Sequence, residues 1–196
     1  MIRPQLWIIA GPNGAGKSTF VDKINIAHRI PLVNPDSIAR ALSDRTHASI
    51  EAGRQAVEMR RIYLANNTSF ALETTLTGHS ELMLMGQAKA AGYKVNLVYI
   101  GLPNASLSRL RVAERVRQGG HDVPLADIFR RYSRSLQNLA PALALADRAY
   151  VLDNAYKGCR LLFSLEAGRI KHRSLKMPEW ANRAIPDYYL NFGSAG

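Results

Sequence analysis

A single cysteine, Cys159, stands in a chain of 196 residues. No internal disulfide can form, which suits a reducing compartment. Cys159 itself reads as a plain packing residue near a strand start. No run of about 18 apolar residues occurs, so no segment reads as a membrane-spanning helix. The opening MIRPQLW lacks the charged, apolar and cleavage segments of a secretory leader. These absences together point to the cytoplasm and away from a membrane. Repeats, low-complexity tracts and a disordered linker are missing too, so residues 1–196 read as one domain. Acidic residues are scarce: 15 Asp and Glu against 26 Lys and Arg leave a net charge of +11. That balance favours anionic partners such as nucleotides and phosphorylated metabolites; RNA is allowed by it but not favoured.

Glycine is plentiful in one place. The stretch WIIAGPNGAGKSTF, residues 7–20, has the spacing G-x-x-x-x-G-K-S, with Gly11, Gly16, Lys17 and Ser18 at the fixed positions. An apolar, β-favouring run precedes it and helix-compatible residues follow. That is the setting of a phosphate-binding P-loop. Glycines let backbone N–H groups converge on one point, and the helix start adds its own unpaired N–H groups and partial positive charge. Gly11, Pro12, Asn13, Gly14, Ala15, Gly16, Lys17, Ser18 and Thr19 are therefore the expected nucleoside triphosphate site, for ATP or GTP. Lys17 is expected to reach the β- and γ-phosphates and the Ser18 hydroxyl to ligate Mg²⁺.

Strand-like and helix-like segments alternate along the rest of the chain. IPLVN, TSFALETT, YKVNLVYIGL and ADRAYVLDN read as strands. CRLLFSLEAGRIKHRS reads as a hairpin turning at Ala167-Gly168. The alternation predicts a three-layer α/β fold of the P-loop kinase type, with a mostly parallel central sheet. ASIEAGRQAVEMRRIYLANN is expected to be a long helix with Ile50, Val57, Ile62 and Leu64 on its apolar side. Pro141 is expected to end or kink the helix that runs through DIFRRYSRSLQNLAPALAL.

Ligands of such sheets gather at the C-terminal ends of the strands, where Asp36, Glu73 and Asp153 fall. Asp36, just past a strand expected to neighbour the P-loop strand, is a candidate general base for an acceptor hydroxyl and a candidate helix cap. Glu73 is a candidate for substrate hydroxyls or for a water on Mg²⁺. Thr75 lies beside it as a further substrate contact. Leu152 to Asn154 closes the last core strand, where P-loop kinases frame the adenine. The strand VNLVYIGL ends without an acid, which weighs against an ABC- or AAA-type machine.

Seven arginines fall between positions 109 and 134. Arg111 and Arg115 share one helix face by their spacing, as do Arg130 and Arg134, with Arg131 adjacent. They suggest a lid over roughly residues 109–135, hinged at Gly119-Gly120, with His121 near a phosphate. Guanidinium groups suit a transition state that spreads charge over three phosphoryl oxygens.

At these residues the chain resembles the zeta toxin family of P-loop kinases. GPNGAGKST, NPD, ALETTLTG, AERVRQGGHDVP and IFRRYSRSLQNL follow in that order between about residues 7 and 140. The resemblance implies phosphorylation of a UDP-activated amino sugar, such as UDP-N-acetylglucosamine, at its 3′-hydroxyl. It implies Lys17 and Ser18 as triphosphate and Mg²⁺ ligands, Asp36 as the base, Glu73 and Thr75 as sugar-nucleotide contacts, and Arg115 as a lid arginine. Arg131 is the stand-in for a second lid arginine. Glu58 lies near a family substrate-binding acid. An antitoxin protein is an implied partner. Two other readings remain: a kinase acting on another nucleotide, a cofactor or an RNA end, and a non-enzymatic nucleotide sensor.

Overall fold

The computed structural model describes residues 3–42, 47–120, 122–156 and 158–190. His121 lies outside the described residues. The strands begin where the apolar runs predict: β1 Gln5–Ala10, β2 Leu32–Val33, β3 Phe70–Thr74, β4 Lys94–Gly101 and β5 Arg148–Asp153. Two antiparallel strands follow, β6 Arg160–Glu166 and β7 Arg169–Arg173. One sheet contains them all in the order β2-β3-β1-β4-β5-β6-β7, and every pairing from β2 to β5 is parallel. The β6–β7 turn falls at Ala167-Gly168 as expected. Both residues have positive φ, 49° and 73°, as a two-residue hairpin loop of the primed type requires.

Parallel strands need crossovers, and helices supply them. They are α1 Lys17–Ile24, α2 Pro35–Ala41, α3 Ala48–Ala65, α4 His79–Ala90, α5 Ala105–Arg117, α6 Leu125–Gln137 and α7 Leu139–Leu145. Past β7 come α8 Glu179–Ala184 and α9 Asp187–Leu190. The sheet is buried on both faces. Leu6, Ile8 and Ala10 of β1 enter one core with Val95, Leu97 and Tyr99 of β4. Ile9 enters the other with Val98 and Ile100. This period-2 division explains why β4 is apolar almost throughout.

Several expectations are corrected. β2 does not neighbour β1, because β3 lies between them. The apolar side chosen for α3 is largely its outer face: Ile50, Val57 and Ile62 are 60%, 54% and 46% exposed. Ala48, Ala52 and Ala56 are buried instead, and Leu64 packs partly against the core. Small side chains at i, i+4 let α3 lie close to its neighbours, and close approach outweighs side-chain size. Pro141 neither ends nor kinks a helix. The break is at Asn138, and Pro141 sits in the first turn of α7, where its missing N–H has no intrahelical partner to lose. Cys159 is exposed, not packed.

Candidate active site

The P-loop links the end of β1 to α1 and is held from three sides. Gly11 has φ 144°, and a Cβ there would stand 2.1 Å from the Ile100 carbonyl oxygen, so only glycine passes β4 this closely. Pro12 to Ala15 forms a turn closed by Ala15 N–H donating to the Pro12 carbonyl at 3.2 Å, with Gly14 at φ 72°. The buried Ser108 hydroxyl of α5 donates to the Asn13 carbonyl. The Asn154 side chain donates to the Ala15 carbonyl at 2.9 Å, so this residue braces the loop. The left-handed Gly16 precedes α1 with no side-chain cap, and the first N–H groups of α1 are left for an anion.

Register brings the acids to this loop. Ile9 pairs with Glu73 and Ala10 with Thr74 across β1 and β3. Glu73 is buried, and both its oxygens are engaged: Ser18 Oγ donates to Oε1 at 2.7 Å and Asn34 Nδ2 to Oε2 at 2.8 Å. Asn34 also caps α2, its Oδ1 accepting from the Asp36 and Ser37 backbone N–H groups at 2.9 and 3.1 Å, with Pro35 at the first helical position. Asp36 is thus not the cap. Its carboxylate is exposed and takes no hydrogen bond or ion pair among the described residues.

A cavity of about 570 Å³ gathers these groups. Lys17, Ser18 and Thr19 line it with Asp36, Glu73, Thr75, Arg115 and Arg131. Burial holds the Lys17 ammonium below its ordinary pKa; Glu73 and then Asp36 pull it back up, while Arg115 and Arg131 push it down. Lys17 Nζ donates to the Pro12 carbonyl at 3.1 Å. Arg111 and Arg130 also line the cavity, whereas Arg134 does not. Asp127 restrains the α6 pair, at 2.7 Å from Arg130 and 3.6 Å from Arg131. Thr75 and Thr77 share a hydroxyl hydrogen bond of 3.1 Å.

At the expected hinge, Gly119-Gly120, the chain closes α5. Gly119 N–H donates to the Val116 carbonyl and Gly120 N–H to the Arg115 carbonyl, both at 2.9 Å, which is a Schellman closure of α5. Glu58 faces solvent and pairs with Arg61. Among the lining residues that sequence alone does not single out are Asn34, Thr77, Glu81 and Arg60. Arg60 continues the buried ridge Ala48, Ala52, Ala56 by one more step of four, and that spacing could have found it. Burial pushes its guanidinium pKa down and Glu81 raises it.

Ser18 Oγ and Glu73 Oε1 are hard oxygen donors at the helix start, with hydroxyl and carboxylate side by side. Mg²⁺ takes one or two such protein oxygens and completes its shell with water and phosphate. The residues present fit it.

The sequence profile of the family AAA_33, described as an AAA domain, matches residues 6–139. An uncharacterized protein of Haemophilus influenzae is 32% identical over 141 residues, which is 67% of this chain and the whole of that protein. Among solved structures, a chain of the AvrRxo1-ORF1:ORF2 complex with ATP superposes with a TM-score of 0.71 at 18% identity. It covers 92% of this chain, but this chain spans only 62% of that one. The PezAT chromosomal toxin-antitoxin system of Streptococcus pneumoniae gives a TM-score of 0.61 at 18% identity, covering 82% of this chain and 71% of that one. Those two likenesses show a P-loop kinase-like fold. β4 ends without an acid, as the sequence shows; β1 has a neighbour on either side, and the acid beside the P-loop strand stands on β3 as Glu73. The chain belongs to the AAA_33 family of P-loop domains.

Proposed function

We propose that this AAA_33 member is a phosphotransferase that moves the γ-phosphate of ATP or GTP to a hydroxyl of a sugar nucleotide such as UDP-N-acetylglucosamine. The observation that carries the reading is a cavity shared by the P-loop lysine, an unengaged carboxylate and arginines from two helices.

The P-loop backbone and Lys17 hold the β- and γ-phosphates, with Gly11 to Thr19 as the nucleotide site. Ser18 would hold the metal, and Glu73, bonded to Ser18 and Asn34, would orient its water shell. Mg²⁺ held there would supply charge neutralisation for the phosphates. Asp36 takes the acceptor's hydroxyl proton. The acceptor oxygen forms its bond to the γ-phosphorus as the bond to the β-phosphate oxygen breaks, and ADP leaves with that electron pair. Arg115 and Arg131 carry the charge that spreads over the transferring group, with Arg60, Arg111 and Arg130 around them. Thr75 contacts the sugar nucleotide. His121, by its place in the sequence, contacts a phosphate.

Two of the structural neighbours are a chain of a two-component complex and one of a toxin-antitoxin system. An inhibitory protein partner is accordingly part of the proposal. The net charge of +11 also allows a second acceptor, an RNA end. The test incubates the protein with ATP, Mg²⁺ and UDP-N-acetylglucosamine and follows ADP and sugar phosphate. Asp36→Asn should lower transfer by about 100-fold or more while ATP still binds. An unmodified sugar nucleotide removes that substrate, and full activity in Asp36→Asn removes the base.

A further inference from the structure

Beyond Asp36 the site continues into a second cavity of about 410 Å³. Four residues line both spaces: Asn13, Pro35, Asp36 and Arg131. Asn13 is 7% exposed, and its Oδ1 has no hydrogen-bond partner among the described residues. A buried carbonyl without a donor is expensive, and such a group in a native site calls for a reason.

The reason is not loose packing. The Asn13 backbone is pinned by the Ser108 hydroxyl and by the turn from Pro12 to Ala15. A Cβ on Gly14 would meet the Ser108 carbonyl at 2.9 Å, so the loop and α5 are in close contact at the next residue too. Only the Asn13 amide plane is adjustable, because a terminal sp³–sp² torsion is broad. A half-turn about it exchanges Oδ1 and Nδ2, so that Oδ1 can be presented to the junction of the two cavities. Asp36 stands at the same junction with an unengaged carboxylate. The junction thus offers the Asp36 carboxylate as an acceptor and the Asn13 amide, which accepts through Oδ1 and donates through Nδ2.

We infer that the second cavity is the acceptor's compartment and that Asn13 Oδ1 reads a second donor, O–H or N–H, on the carbon next to the reacting hydroxyl. The acceptor class is then a vicinal diol or vicinal amino alcohol, not an isolated alcohol. This rests on the phosphotransferase reading and adds a specificity determinant to it. Asp36 receives the reacting hydroxyl and Asn13 its neighbour, so the pair fixes which oxygen is presented. Arg40, one turn beyond Asp36 on α2, also lines the compartment, as does Asp122.

The experiment uses the whole chain with ATP and Mg²⁺ and a set of simple acceptors at high concentration: propane-1,2-diol, glycerol, ethanolamine, propane-1,3-diol and propan-1-ol. Phosphorylated product and ADP are both measured. Wild type should favour the three vicinal acceptors over the other two by about tenfold or more in kcat/KM. Asn13→Leu, nearly isosteric, should bring that ratio to within about twofold of unity, because no side-chain acceptor remains to reject the lone alcohol. Asn13→Ala gives the same reading should leucine disturb the loop. The ratio compares acceptors on one variant, so a general loss of ATP affinity cancels. Equal rates for propan-1-ol and propane-1,2-diol in wild type, or an unaltered ratio in both variants, overturn the inference while leaving the kinase reading standing. No transfer to any acceptor, these or UDP-N-acetylglucosamine, overturns both.

Discussion

Replacing Glu73 by Gln is the most informative single change, because the structure separates its effects on stability and on metal. The buried carboxylate accepts from Ser18 Oγ at 2.7 Å and from Asn34 Nδ2 at 2.8 Å. A glutamine has the same shape. Its amide oxygen can accept from Asn34 while its NH₂ donates to the Ser18 hydroxyl, so neither neighbour is orphaned. Each bond drops from charge-assisted to neutral strength, a loss of about 1–1.5 kcal/mol apiece. Against that, burying an amide costs less than burying a carboxylate. The net expectation is roughly 1–2 kcal/mol of lost stability, or about 3–6 °C in Tm for a chain of this size. Turnover should suffer more. A carboxylate that orients the metal's water shell from behind is worth about 10–100-fold in metal affinity or activity. Thermal melts and a Mg²⁺ titration of ADP release, run side by side, check this. The variant should melt a few degrees lower and need at least tenfold more Mg²⁺ for half its maximal rate, on the order of that range. A variant that melts lower yet shows the wild-type Mg²⁺ midpoint would refute the metal-side role and leave Glu73 a structural acceptor.

Lys17→Met should abolish turnover yet raise Tm at neutral pH, since burial lowers the pKa of Lys17 and its charged form is the strained one in the folded state. The sign follows from proton linkage. Between the folded value and the ordinary 10.5, the unfolded chain binds more protons, so wild-type stability gains with rising pH across that window and the variant's advantage closes. A Tm difference that stays constant from pH 7 to 10.5 contradicts it. Gly11→Ala places a Cβ 2.1 Å from the Ile100 carbonyl oxygen at a φ of 144°. It should cost about 3 kcal/mol or more, roughly 6–12 °C in Tm, with ATP binding lost by calorimetry; a variant that melts like wild type would mean the loop can move away from β4.

What could be read in the sequence was local. The P-loop was legible because its glycines and Lys17-Ser18 carry their roles within eight residues, and the hairpin because Ala167-Gly168 can take two positive φ values in succession. What could not be read depended on pairing across the chain. Nothing within IPLVN says that β3 will insert between β2 and β1, and that insertion decides which acid meets the P-loop. Glu73 reaches Ser18 across 55 positions of sequence, and only the β1–β3 register makes the two neighbours. The α3 face was misread because hydrophobicity was weighed without packing distance. Three alanines were the close-packing side, and the same ridge delivered Arg60 to the cavity.

Two acids enter one site, and their surroundings assign them different work. Glu73 is buried and each of its oxygens is already engaged, one by Ser18 and the other by Asn34. Asp36 sits one strand farther out, exposed, with a carboxylate no described residue engages. Asn34 enforces the division. Its Nδ2 fastens to Glu73 while its Oδ1 takes the two N–H groups that start α2, so the cap is provided by Asn34 and the Asp36 carboxylate is released from it. One asparagine therefore ties the metal side of the pocket to the acceptor side at a fixed offset. Loosening that tie should misplace Asp36 without touching it. Asn34→Ala, which removes both the cap and the link, should lower kcat far more than it raises the KM for ATP, because the triphosphate cradle keeps Lys17 and the α1 N-terminus while the base loses its register. Equal losses in kcat and in ATP affinity would mean that Asn34 supports the whole pocket and not the placement of the base.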